Sequence, residues 1–344
     1  MIPLPLIAAY GLFLACIAGA LFFHGVPALL AGLLSYSLTK AVLRQLQVQL
    51  KGKPARFLEW GAALVVGMGS LGALFALASE IHHYMVGDSL AALMLTLADT
   101  VQHIKHFLPV AIANQVPDNL LEAKGVIAAA LKSHANTLAQ VGSSAAQHLV
   151  RTLIGWIVGL LVAVQGTHVG DGPQPAFSAT WRRLWCSLSA AFSHVAYAQA
   201  KIAAINATLT AVFLLGVLPL LGWKLPYSAT LIVVTFVCGL LPVIGNLISN
   251  ALLCTLALGV AFPAAVVALV FMVLVHKFEY FLSARIQGQE IGASAWEILI
   301  VLFATEALFG PAGMVISPVL YAFATAELRR AGWLQKHETA VHHE

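Results

Sequence analysis

The chain has 344 residues, of which 60% are apolar and only 9% charged, with a net charge of +4 and a mean hydropathy of +0.89. Soluble domains carry about one quarter charged residues, so the composition excludes a water-soluble globular protein, and cations scattered among loops argue against nucleic acid as a partner. The apolar runs are continuous rather than alternating, which argues against a β-barrel and leaves helices, the form that satisfies every backbone hydrogen bond within the segment.

Residues 1–39 carry no charge, too many for one span, and Gly25 and Pro27 break them into helices at about 4–23 and 26–40. No basic run opens the chain, so a cleaved signal peptide is not expected. Lys40, Arg44, Lys51, Lys53 and Arg56 follow with no acid among them, which places this loop, and with it the N-terminus, in the cytoplasm. A glycine-rich third span at about 60–79 completes an N-terminal scaffold, 1–80. Residues 81–150 then lie outside, where Asp88, Asp99, Asp118 and Glu122 reverse the sign. They are expected to form an external, periplasmic helical layer and an oligomer contact, with an amphipathic helix from about 119.

A fourth span at about 152–169 returns to the cytoplasm, and Arg182, Arg183 and Lys201 among Trp and Phe predict an interfacial amphipathic connector, giving a segment 151–201. A fifth span covers about 202–222. Residues 228–260 are too long for one straight span and short for two, and Pro242 to Gly245 falls near their middle. Half-length helices meeting at a broken tip predict a re-entrant hairpin. After a span at about 261–276, residues 297–326 repeat the pattern with "LFGPAG" at their centre; the tail 327–344 is expected in the cytoplasm. At an offset of 68 residues Leu231-Ile232-Val233 matches Leu299-Ile300-Val301, Gly245 matches Gly313, and Ile248-Ser249 matches Ile316-Ser317. The expected fold is therefore all-α and polytopic: about six full transmembrane helices, two broken re-entrant hairpins of opposite orientation, and an extramembrane helical layer. A transport core, 202–326, holds both hairpins, because inverted pairs of broken helices build secondary-transporter sites near the bilayer midplane.

Glu306 is an acid inside an apolar run, which is costly unless it faces a polar cavity. Asn246, Ser249 and Asn250 follow the first break and Ser317 the second, where free half-helix ends and polar side chains together suit a polar solute or ion. The competing reading is that they cap or glue helices. Pro242, Gly245, Gly310, Pro311 and Gly313 shape the backbone of the tips. Glu279, Arg285 and Gln287, on the connection feeding the second hairpin, are candidates for gating or for interfacial anchoring, as are Tyr197 and Gln199 for a pathway or for packing. Cys16, Cys186, Cys238 and Cys254 show no C-x-x-C spacing and read as small core hydrophobes. His82, His83, His103 and His106 lack further ligands at clear spacing, so no metal is expected. Phosphate-loop, G-x-S-x-G and H-E-x-x-H motifs are absent from the sequence, and neither ATP-driven transport by this chain nor an enzyme is expected.

The second half resembles the AI-2E (autoinducer-2 exporter) family of bacterial permeases, also called PerM or UPF0118. "LLPVIGNLIS" (240–249) is similar to that family's I-P-x-x-G-P stretch. "EYFLSARIQGQEIG" (279–292) is similar to E-x-x-x-L-x-P-x-I-x-G-x-x-x-G, and "ALFGPAGMVISPVLYA" (307–322) to a small-residue-L-F-G-x-x-G…P pattern. Tyr197 and Gln199 match a weaker upstream motif. Asn246 and Ala284 stand where the family has Pro, and Glu306 where it has glycine, which puts the substrate in question. The resemblance implies an oligomeric, multi-pass inner-membrane permease in the lipid bilayer; the cation distribution sets the expectation of termini in the cytoplasm. Its expected action is export of a small polar solute, of the autoinducer-2 type among others, by elevator-like alternating access. No cofactor is expected, with coupling to H+ or Na+ left open. The alternatives are a sodium/proton-type antiporter using Glu306 and a non-transporting scaffold or channel.

Overall fold

The computed structural model of the chain describes residues 3–50, 56–86, 135–165, 175–240 and 244–334, and every regular element among them is helical. The external layer expected across 81–150 falls largely outside these residues, and so do His103 and His106.

Helix α1 (Leu4–Phe22) carries a proline in its first turn, where the missing N–H has no helical partner to lose. It buries Ala9, Phe13, Ile17 and Leu21, spaced four apart, while Ile7 and Leu14 on other faces stay more than half exposed. An apolar face left outward is what hydrocarbon, rather than water, accepts. The chain reverses at His24 (φ 54°) and Gly25, whose N–H donates to the Ala20 carbonyl at 2.7 Å. Then follow α2 (Val26–Leu50), α3 (Arg56–Val86), α4 (Ala135–Gln165) and α5 (Ala176–Val212). Helix α5 runs on through a π-turn, Phe213–Val217, to Leu220. The π-turn precedes Pro219, which has no N–H for the carbonyl four residues back.

The length of α5 differs from expectation. The connector expected at the interface is the first half of one continuous helix, and Leu184, Leu188 and Ala198 within it are fully buried. No proline or glycine lies between Pro175 and Gly216 to stop it. Cys16 and Cys186 are exposed rather than in a core, and Cys238 and Cys254 are half-buried.

Helices α6 (Ser228–Gly239) and α7 (Ile244–Val260) pack on each other as the first hairpin. After α8 (Phe262–Ile291), α9 (Ala295–Arg330) contains one non-helical residue, Gly310 (φ 65°, ψ −155°). That residue folds α9 into the second hairpin. Glu297 and Tyr321 would stand about 36 Å apart along a straight helix at 1.5 Å per residue, yet Tyr321 donates to the Glu297 carboxylate at 2.8 Å. Arg329 likewise reaches the Gly292 carbonyl at 2.9 Å. Among the described residues seven helices are long and apolar enough to cross a membrane; α9 is one of them and is folded back, which leaves six.

The chain divides into two compact units, residues 1–72, 147–198 and 284–344 in one and 73–146 and 199–283 in the other. The first contains the second hairpin. Its core brings Phe13, Leu184, Leu188, Ile316 and Val319 together, with the Phe13 ring 5.0 Å from Trp185 and 5.3 Å from Phe323. In this unit α2 and α4 cross with backbones in contact: Gly155 lies against the Ala28 carbonyl, and Gly159 against the Gly32 carbonyl and Ser35. The second unit contains the first hairpin, where Leu231, Leu253 and Ala257 meet Phe213 and Leu218 of the α5 extension, and Phe213 stacks on Phe271 at 3.9 Å.

A side chain at Gly159 has nowhere to go, and close approach at small residues is what holds membrane helices together. Gly159→Leu should lower stability by about 1–3 kcal/mol, read as a lower melting temperature in detergent. Gly69→Leu, at a site with open space around it, should leave the melting temperature unchanged.

Candidate functional site

The two hairpin tips are built alike. In the first, Gly245 is buried against the Cys238 carbonyl of α6, and a β-carbon there would overlap it. In the second, Gly313 is buried against the Thr305 carbonyl in the same way. These glycines are the pair matched at the 68-residue offset, and each closes on the arm seven or eight residues earlier. Both hairpins therefore share nearly one register. Glycine at these two positions is required by close approach, and Gly310 is required by its positive φ.

Polar residues expected at the tips fall into two groups. Asn246, Ser249 and Asn250 lie at the start of α7, at helical spacing i, i+3 and i+4, which places them along one face. Ser249 is buried at 2% exposure and Asn250 half-buried; Pro242 and the side chain of Asn246 lie outside what is described. In the second hairpin Glu306 is half-buried on the first arm, adjoining Thr305 and one turn before Gly310, while Pro311 is exposed. Ser317 is fully buried and donates to the Met314 carbonyl at 2.9 Å. Its hydroxyl proton is thus engaged by its own helix, and its lone pairs remain for an incoming donor. Ser249 and Ser317 hold equivalent places in the two hairpins, and both are buried.

Gln199 has a defined place. It is 8% exposed, and its Nε2 donates at 2.7 Å to the carbonyl of Gly239, the last residue of α6. Helix ends leave their final carbonyls unpaired, and Gln199 supplies the missing donor from α5. Tyr197, two residues earlier, is 59% exposed and faces another way. Glu279 and Gln287 are half-buried and Arg285 exposed along the last turns of α8. The i, i+6 spacing of Glu279 and Arg285 sets them on different faces of one helix, unlike the i, i+3 and i, i+4 pairs that meet.

Sequence reasoning missed three polar clusters in the first unit. The Tyr10 hydroxyl donates to Glu327 at 3.0 Å and accepts from Arg183 at 2.6 Å, and Arg330 donates to Glu327 at 2.9 Å, tying α1 and α5 to the second arm of α9. Glu297 receives both Tyr321 and, at 2.9 Å, the Ser294 N–H of its own helix start. Glu59 on α3 is 1% exposed and lies within electrostatic reach of Lys40 on α2. The S-x-x-E pattern of Ser294 and Glu297 and the i, i+3 pair of Glu327 and Arg330 were readable signals; the other partners are further apart in sequence.

Removing the Gln199 amide strands a buried carbonyl, at about 1–3 kcal/mol. Gln199→Ala should therefore lower the melting temperature and increase thiol labelling of Cys238, beside the uncapped residue, relative to the parent protein.

The family model described as AI-2E family transporter matches residues 7–331, nearly the whole chain. No curated protein matches it. With a match over nearly the whole chain, and helices long and apolar enough to cross a membrane among the described residues, the chain belongs to the AI-2E family of transporters.

Proposed function

We propose that the protein is a secondary permease that exports a small polar solute, of the autoinducer-2 type, by elevator-like alternating access. Its membership of a transporter family makes it a multi-pass membrane permease set in the lipid bilayer; the mechanism and the cargo are the inference. The observation that carries it is the shared tip architecture, in which Gly245 and Gly313 each press on the preceding arm. Broken helices bring free backbone groups to membrane depth, and transporters tolerate them where they line a solute path. Asn246, Ser249 and Asn250 at one tip and Glu306 and Ser317 at the other supply the side chains for it. The protein lies in the inner membrane as a homo-oligomer with both termini in the cytoplasm, and it draws its energy from a proton or sodium gradient rather than from a bound cofactor.

A second reading, cation/proton antiport, rests on Glu306, a half-buried carboxylate one turn from the Gly310 break. Proteoliposomes separate these readings. Efflux of autoinducer-2 that saturates with internal concentration and is lost in Gly313→Val supports the permease. Flux linear in concentration marks a channel, and none under any imposed gradient marks a scaffold. Sodium-driven proton movement that disappears in Glu306→Gln, without autoinducer-2 efflux, favours the antiporter.

A further inference from the structure

At the base of the second hairpin, away from its tip, the first unit contains a cavity of about 280 Å³. Helix periodicity explains it. Ser187, Ala190, Ala191 and His194 form one face of α5, and Ala322, Ala326, Arg329 and Arg330 form one face of the second arm of α9. Four methyl groups occupy the middle, where larger side chains would close the gap. The volume holds one small polar group with several waters, each needing about 30 Å³.

Polar groups on the wall are unevenly matched. Glu290, from the end of α8, lies 3.8 Å from His194, and Arg330 is held by Glu327 at 2.9 Å. Ser187 is 3% exposed, and its hydroxyl has no hydrogen-bond partner. Arg329 donates through Nη2 to the Gly292 carbonyl at 2.9 Å, yet its buried Nε has no acceptor. A buried donor without an acceptor costs about 1–3 kcal/mol, and more when charged. Packing does not compensate for two such groups, one from α5 and one from α9. A guanidinium N–H and a hydroxyl together call for an oxygen that carries negative charge, since charge-assisted bonds to guanidinium are the strong ones.

We propose that this cavity binds one oxyanion group, a phosphate or a carboxylate, with its oxygens accepting from Arg329 Nε and Ser187 Oγ. The Glu290 carboxylate, 3.8 Å from His194, also lines the cavity and restricts the site to a single anionic group. The site is distinct from the hairpin tips and does not depend on what they carry. Phosphate chemistry at this place has two sources, a free anion and the headgroup of an anionic lipid.

Full-length protein purified in maltoside micelles, which contain no phosphate, allows both sources to be tested. Calorimetric titration with inorganic phosphate at constant ionic strength should show saturable binding. Affinity should fall at least tenfold in Arg329→Gln and at least threefold in Ser187→Ala. Arg329→Lys keeps the charge but loses the Nε donor, and it should lose most of the affinity. Ala322→Leu fills the cavity from the apolar side and should block binding by a different route, which covers the case in which an arginine variant fails to fold. In the second arm, phosphatidylglycerol is added to the micelles. A rise in melting temperature for the parent protein that is absent in Ser187→Ala and Arg329→Lys, with weak binding of free phosphate, supports the site and assigns it to lipid. No response to either probe, or equal responses in the parent protein and all variants, overturns the proposal.

Discussion

A helix interrupted inside hydrocarbon exposes carbonyls and N–H groups that no water reaches, each at a cost of several kcal/mol. Both hairpins are shaped by this constraint. In the second, the interruption is confined to Gly310 alone, so one residue leaves the helical conformation and its neighbours keep their bonds. In the first, α6 ends at Gly239, and a side chain from another helix accounts for the final carbonyl. Tip glycines then let each arm lie against the other without a gap for water or lipid to fill. In the second hairpin, reversal is possible because the irregular backbone is a single residue.

Charge follows the same logic. In the first unit Arg183 and Arg330 gather on Glu327, and His194 lies 3.8 Å from Glu290. Several of them gather at the base of the second hairpin, where the arms begin and end, whereas the outward faces of α1, α3 and α4 present Leu14, Met68, Phe75 and Ile154. An isolated ion in hydrocarbon is far costlier than a paired one. The Tyr10, Arg183 and Glu327 contacts fasten the second arm of α9 to α1 and α5 at the end where ions are cheapest to keep. Nearer the tip stand glycines, small hydroxyl residues and one carboxylate, Glu306.

How much of this was legible in the sequence depended on the kind of signal. The breaks at Gly245, Gly310 and Gly313 were readable because glycine and proline punctuate helices and because the two segments resemble each other at a fixed offset. The continuity of α5 was not read: the Arg182, Arg183 and Lys201 pattern drew attention to an interface, while the lack of any helix breaker before Gly216 carried the information on its length. Gln199 was singled out, but its partner is a backbone carbonyl, a group every residue offers, so no spacing rule could identify it. The Tyr321 and Glu297 pair becomes apparent only once the hairpin register is known. Glu59 escaped notice because it sits at the start of its span, among residues that read as interfacial, though the fold buries it.

The shared register has a kinetic side. Each tip closes through a contact between residues seven or eight positions apart, the scale at which a short loop forms in about 10–100 ns. Such local contacts need no other helix, whereas the link from Gln199 to Gly239 spans 40 residues. Low sequence separation speeds assembly. Each hairpin is thus closed by contacts local enough to favour its early formation, while the polar contacts that join it to other helices span far more of the chain.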